Sequence, residues 1–236
     1  MKKIIFTGGT GRFGKIFKEK TKLKNIKYPS KKELNILKIS SIANYLKKNK
    51  PKILIHAAGL SRPMDLHDKE IKKSIENNII GTCNLVNVCS DLKIKLIYLS
   101  TSYVYPGKKG NYKETDSLLP YNNYAWSKLG GECAVQMYNN SLIIRLSMTE
   151  KPFIHKYAFK DQISNFTFHE DIVKKFPKIL KLKGIINLGG KSQSVFKFAK
   201  KYNKQVKGIY SFKILKKKIP LNHSMNLSKI NKILNK

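Results

Sequence analysis

A tyrosine and a lysine four residues apart, Tyr124 and Lys128 in Tyr-Ala-Trp-Ser-Lys, form the pair in this 236-residue chain best suited to moving a proton. On a helix, positions i and i+4 share one face, so the phenol and the ammonium would stand together. A neighbouring ammonium favours phenolate and lowers the phenol's pKa, which makes it a proton donor or acceptor near neutral pH. This spacing arises by chance in so lysine-rich a chain, but two earlier features in the same chain lift it above chance. Thr101 ends an apolar run at 95–101, and open α/β sheets place their ligands at the carboxyl ends of strands. The stretch Thr-Gly-Gly-Thr-Gly-Arg-Phe-Gly at 7–14 follows Ile4-Ile5-Phe6 and opens into helical spacing from Lys15.

Strand, glycine turn and helix in succession form the setting in which such a loop cradles phosphate. Glycines allow the tight turn and the close approach of backbone to a pyrophosphate, which rests on the free N–H groups of the helix. The motif fits G-x-G-x-x-G through Gly9, Gly11 and Gly14, and G-x-x-G-x-x-G through Gly8, Gly11 and Gly14. Ala57-Ala58-Gly59, after the third apolar run, would let an adenine or ribose lie flat against the backbone; a tight strand exit has the same composition. A carboxylate after the second strand would favour NAD. The residues there are Ser30, Lys31 and Lys32, which together with Arg12 suit a 2′-phosphate, so NADP(H) is expected over NAD(H).

The elements that must position these groups alternate along the chain. Strands are predicted at 3–7, 25–29, 52–56, 95–101, 142–146 and 184–188. Helices are predicted at 11–22, from Ser40 or Ser41 to 49, 68–90, 121–138, 169–182, 192–202 and 226–234. The 68–90 helix carries an apolar stripe of Ile71, Ile75, Ile79, Cys83 and Val86. Such alternation predicts an α/β fold with a doubly wound parallel sheet, the Rossmann fold. No linker or repeat divides the chain, so 1–236 is expected to be one domain, with 148–236 a thin addition on the substrate side.

Composition narrows the partners. With 41% hydrophobic and 26% charged residues this is a globular chain, and no apolar run approaches the ~20 residues that cross a bilayer. The first strand begins at once, so no signal peptide is expected and the chain is assigned to the cytoplasm. Cys83, Cys89 and Cys133 lack metal-ligand spacing and read as thiols of a reducing compartment, with no metal site. The formal charge is +34, yet only positions 12, 62 and 145 are arginine among 48 basic residues. Lysines spread along the whole chain look like codon bias, and no specific nucleic-acid binding is expected.

These pieces, in this order, resemble the extended short-chain dehydrogenase/reductase family of sugar-nucleotide epimerases, dehydratases and reductases. The resemblance rests on TGGTGRFG at 7–14, HAAG at 56–59, NIIGT at 78–82, LSTSYVY at 99–105, YAWSK at 124–128 and IIRLS at 143–147. ELNI at 33–36, STSYVYPG, NFTFHEDIVKKF at 165–176 and the run 184–202 are similar to the dTDP-4-dehydrorhamnose reductase group. The resemblance implies Tyr124 as acid/base, Lys128 as holder of the nicotinamide ribose, and Thr101, ahead of Ser102, as the hydroxyl that orients the substrate oxygen. It implies that Gly8, Thr10, Gly11, Arg12, Phe13 and Gly14 cradle the pyrophosphate while Ala57, Ala58 and Gly59 line the adenosine. A nucleotide-sugar substrate follows, as does a homodimer formed through helices 68–90 and 121–138. Three departures stand out: Asn35 replaces the group's usual Asp, no acid follows Thr101 as it does in dehydratases, and the region after Ser147 is short. The expected activity is NADPH-dependent reduction of a keto group on a nucleotide-linked deoxysugar. An epimerase with retained NAD, and a non-catalytic NADP-binding regulatory protein, are the alternatives.

Overall fold

Side chains alternate across the strands, and that alternation decides the layers. Ile4 and Phe6 point to one face of the sheet and Ile5 to the other; Ile53 and Ile55 oppose Leu54 in the same way. Both faces are apolar, as a parallel sheet covered on both sides requires. In the computed structural model, which describes residues 2–213 and 219–235, six strands form this sheet. They are β1 (Ile4–Thr7), β2 (Ile26–Lys27), β3 (Ile53–His56), β4 (Lys95–Thr101), β5 (Ser141–Leu146) and β6 (Gly184–Leu188). All pair in parallel, in the order β6-β5-β4-β3-β1-β2. Winding reverses between β1 and β3, and the crevice outside their carboxyl ends is where such sheets bind ligands. The doubly wound parallel fold expected above is the observed one.

Helix α1 (Arg12–Lys20) and α5 (His169–Ile179) cover one face, with Phe17 stacked on Phe6 at 4.5 Å and edge-on to Phe176 at 4.8 Å. Helices α2 (Ile39–Asn49), α3 (Gly81–Asp91) and α4 (Asn123–Gln136) cover the other, through Ile42, Leu46, Leu85 and Val135. Among the described residues no helix is long and apolar enough to cross a membrane.

Two expectations need correction. The second strand has only two paired residues, because Asn25 takes a left-handed φ of 59° and Pro29 follows shortly after. The 68–90 helix is broken. Its segments are Leu66–Lys69, Ile71–Ile75, a π-turn at Glu76–Ile80, and α3. Glu70 leaves helical geometry at φ −123° and ψ 61°, and the widened π-turn rotates the residues before it relative to α3. The apolar stripe is therefore split: Val86 is buried, whereas Ile71 and Ile75 are 55% and 41% exposed.

Residues beyond Leu146 do more than add a substrate side. Strand β6 and helix α5 complete the main sheet and one of its covers. The remainder forms three two-stranded ladders, pairing Met148–Thr149 with Thr167–Phe168, Tyr157–Phe159 with Lys207–Ile209, and Ile163–Ser164 with Gln193–Ser194. They pack with α6 (Val195–Tyr202) around Phe153, Phe168 and Phe198. A last helix, α7 (Ser228–Leu234), returns to the sheet through Ile230. Residues 214–218 of the lysine-rich tail lie outside the described residues.

Candidate active site

The glycine turn is built by close approach. A hydrogen bond from Gly11 N–H to Gly8 C=O, 3.0 Å, closes it, and Gly8 has φ +80°. A Cβ on Gly8 would lie 2.6 Å from Ala58 N, and one on Gly14 would land on the Gly8 carbonyl. Gly11 caps α1 without a side-chain hydrogen bond, so the first-turn N–H groups are left for a ligand. Bare backbone at the start of a helix is what a dinucleotide diphosphate fits. Of the residues assigned to it, Gly8, Gly11, Arg12, Phe13 and Gly14 line one groove of about 370 Å³. Ala57, Ala58 and Gly59 line the same groove from the end of β3. Thr10 does not: it sits exposed at the tip of the turn. Lys31 and Lys32 are also exposed and outside the groove wall, and the Glu33 carboxylate folds back to accept from Ser30 N–H at 2.8 Å.

The strand ends beside the loop are fixed by a buried relay. Thr82 donates its hydroxyl proton to Asn78 C=O (2.8 Å), so it can only accept from His56 Nε2–H (3.1 Å). His56 Nδ1 then accepts from the Thr7 hydroxyl at 2.9 Å. Burial, with the Lys128 charge adding to it, holds this imidazole down to about 3, and burial takes His223 down to about 4. Both rings are neutral when folded and protonate near 6.5 when unfolded, so the unfolded state gains protons as pH falls through 6.5. Stability is therefore complete above pH 6.5 and is lost below it. We expect the unfolding free energy from urea titration to fall between pH 6.5 and 5, by about 1.4 kcal/mol per pH unit for each fully titrating ring. His56→Asn should flatten that slope; an unchanged slope would refute the assignment.

Helix α4 carries the expected acid/base pair. Asn122 caps it, its side-chain oxygen accepting from Ala125 N–H at 2.8 Å. In its first two turns Tyr124 and Lys128 face the groove, and Thr101 from the end of β4 lines the same wall. Lys128 is 8% exposed, with Nζ 4.1 Å from the centre of the Tyr98 ring. Burial brings its ammonium down to about 7, against the upward pull of Glu132. The expected lowering of the phenol is absent: burial, reinforced by Tyr103, pushes Tyr124 up to about 12. What pulls it back is a hydrogen bond to Thr101 and the charges of Arg62 and Arg12. Tyr124 is thus a protonated donor throughout the neutral range.

Several residues that line or support the groove were not legible from spacing. Asn78, in the π-turn, accepts from Leu60 N–H (2.7 Å) and donates to Leu60 C=O and to the Ser127 hydroxyl, both at 2.8 Å. It ties the loop after β3 to the first turns of α4. Gly130 and Gly131 permit that approach, since a Cβ on Gly131 would meet Asn78 O at 2.6 Å. The NIIGT match was the available signal. Across the groove mouth, Glu150 contacts both Arg12 Nε and Arg62 Nη1 at 3.3 Å, and Arg12 Nη2 donates to Ser61 Oγ at 3.3 Å. Arg12 lines the groove, whereas Lys31 and Lys32 are not among its lining residues. Contacts this long between partly exposed groups contribute only about 0–1 kcal/mol each. Beneath the site Arg145 and Glu132 form a fully buried pair, with Ser100 donating to Glu132 at 2.6 Å and Arg145 Nη1 donating to Tyr105 OH at 2.8 Å.

A glycine turn opening a helix and Thr101, Tyr124 and Lys128 on one groove of a doubly wound sheet are features of the extended short-chain dehydrogenase/reductase class. Within it, the chain belongs to the RmlD substrate binding domain family, whose model matches residues 1–150. Its fold is similar to that of dTDP-4-dehydrorhamnose reductase from Bacillus anthracis, solved in complex with NADP. The TM-score is 0.87 at 25% identity, covering 99% of this chain and 92% of that one. In sequence it is 38% identical over 108 residues to GDP-L-colitose synthase of Yersinia pseudotuberculosis, covering 44% of this chain and 35% of the relative. It is 30% identical over 152 residues to methionine adenosyltransferase 2 subunit beta of Xenopus laevis, covering 61% and 45%. The chain thus spans less than half the length of these curated relatives.

Proposed function

We propose that this chain is an NADPH-dependent reductase acting on a keto group of a nucleotide-linked deoxysugar. The observation that carries the reading is the placement of Thr101, Tyr124 and Lys128 on the groove that also holds the bare glycine turn. NADPH would supply the hydride. The chain's own residues do the rest. The Thr101 hydroxyl donates to the carbonyl oxygen and stabilises charge as it develops there. Tyr124 delivers the proton to that oxygen, and Lys128, held over Tyr98, binds the ribose beside it. First-turn N–H groups of α1 and Arg12 hold the diphosphate, and Ala57, Ala58 and Gly59 take the adenosine. The name of the NADP-bound relative in its solved complex and the family match support the assignment. In this reading 1–236 is one NADP-binding domain, and 148–236 supplies a reduced substrate-binding part as well as completing the sheet.

The test is a panel of nucleotide-linked keto-sugars with NADPH and NADH, followed by loss of nicotinamide absorbance. NADPH should be favoured. The preference should shrink in Lys31→Ala/Lys32→Ala, whereas Arg12→Ala should weaken both cofactors alike. No turnover of any keto-sugar despite tight NADPH binding would instead favour the non-catalytic regulatory reading. That second reading is supported by the relative whose name makes it a subunit of an adenosyltransferase.

Two copies are proposed to pair through the segments 68–90 and 121–138, where Ile71, Ile75 and Trp126 are exposed. A monomeric sedimentation coefficient at micromolar concentration would remove this pairing. The three free cysteines support a reducing cytoplasmic setting.

A further inference from the structure

Where lysine is the default cation, each arginine marks a place that a point charge would not serve. Arginine offers a planar fork of donors, and lysine does not. Arg145 is spoken for by Glu132 in the core. The other two stand on opposite sides of one carboxylate at the groove mouth. Arg12 comes from the first turn of α1, Arg62 from the loop after β3, and Glu150 from the segment that leads into the C-terminal ladders. The carboxylate gives Oε1 to Arg12 and Oε2 to Arg62, one contact each at 3.3 Å, so neither guanidinium has the two-contact fork that it is shaped for. Side-chain exposures of 44%, 40% and 26% for Arg12, Arg62 and Glu150 leave all three within reach of a ligand. Arg62 lines the same groove as Tyr103 and Tyr124, and its charge acts on both phenols.

We propose that Glu150 occupies the place of an anionic oxygen group of the substrate, a phosphate or a carboxylate, and that Arg62 anchors this group when Glu150 gives way. The inference rests on the groove being the reductase site argued above. Two cations and one internal anion form a mouth that is charge-poor when closed. Once Glu150 swings aside the mouth carries two uncompensated guanidiniums: Arg12 is free for the cofactor diphosphate and Arg62 for the substrate. An anion with two oxygens in one plane can give Arg62 the paired contact that Glu150, shared between two partners, cannot. Glu150 then excludes neutral sugars in favour of charged ones, because only an anion replaces what Arg62 loses.

The test uses the full chain saturated with NADP+, so that the adenosine side is filled. Thymidine diphosphate, inorganic pyrophosphate and glucuronate are titrated calorimetrically. Arg62→Ala should weaken the binding probes at least tenfold without changing NADP+ affinity, and Arg62→Lys should restore little of it. Glu150→Gln should tighten the same probes several-fold by removing the competitor. Tightening confined to the two phosphates identifies phosphate as the group, and tightening confined to glucuronate identifies carboxylate. Should no probe bind the parent chain, or Arg62→Ala leave binding unchanged, or Glu150→Gln weaken it, the proposal falls. If NADP+ itself fails to bind, the reductase reading falls, while the response of the cofactor-free chain to Arg62→Ala and Glu150→Gln still decides this one.

Discussion

Tyr124→Phe is expected to slow keto-sugar reduction by ~10²–10⁴-fold, the usual share of a positioned general acid, while fold and NADPH affinity persist. The substitution removes one hydroxyl and leaves the ring against His67, whose centroid is 5.1 Å away. Because burial pushes the phenol up to about 12, the parent chain keeps the phenol proton at every pH near neutrality, and the variant has nothing to replace it. Lys128→Met should behave differently. It removes a buried cation from above Tyr98, so cofactor affinity and rate should fall together. Cofactor titration and single-turnover hydride transfer separate the two variants. Unchanged turnover in Tyr124→Phe would show that this set is not the catalytic machinery.

Arg145→Met should be the most destabilising single change at the site, by about 3–5 kcal/mol, because it strands Glu132 as an unpaired buried charge. The loss reaches further than the pair. Arg145 also donates to Tyr105 OH and to Glu114 C=O (3.1 Å), and Tyr105 OH in turn donates to Asn187 Oδ1 at 2.9 Å. That chain joins β5 and β6 to the loop after β4. Adding Glu132→Gln to Arg145→Met should recover part of the loss, since the stranded charge is then gone. Denaturant midpoints at pH 7 measure both. A loss under ~1 kcal/mol in Arg145→Met would mean that Glu132 takes up a proton or finds another partner.

The parts of the site legible in the sequence are those made by local spacing. Gly8, Gly11 and Gly14 are tied together within one turn, and Tyr124 with Lys128 within one helical turn, so short patterns reveal them. The strand positions were legible too, because β-branched runs such as Ile53–His56 alternate between two buried faces. The π-turn at Glu76–Ile80 was not, since the apolar stripe from Ile71 to Val86 runs straight through it, and the bonds of Asn78 to Leu60 join segments that no local period connects. Arg62 and Glu150, 88 positions apart, meet through loops that have no period at all. Rarity of arginine was the one available sign. Thr10 differs: it belongs to the motif by position, but its side chain is exposed and off the groove wall.

The strand order β6-β5-β4-β3-β1-β2 also has a bearing on how the chain is made. Strand β5, Ser-Leu-Ile-Ile-Arg-Leu, is buried along its whole length and stays an open edge until β6 emerges from the ribosome. Roughly 40 residues separate the two, a delay of several seconds at ~5–20 residues per second. Through that interval an unpaired apolar edge, with Arg145 inside it, faces the cell at the stage when edge-to-edge association is easiest. Nascent chains released before Leu188 would therefore be the aggregation-prone species, and slower elongation across 147–183 would lengthen the period of exposure.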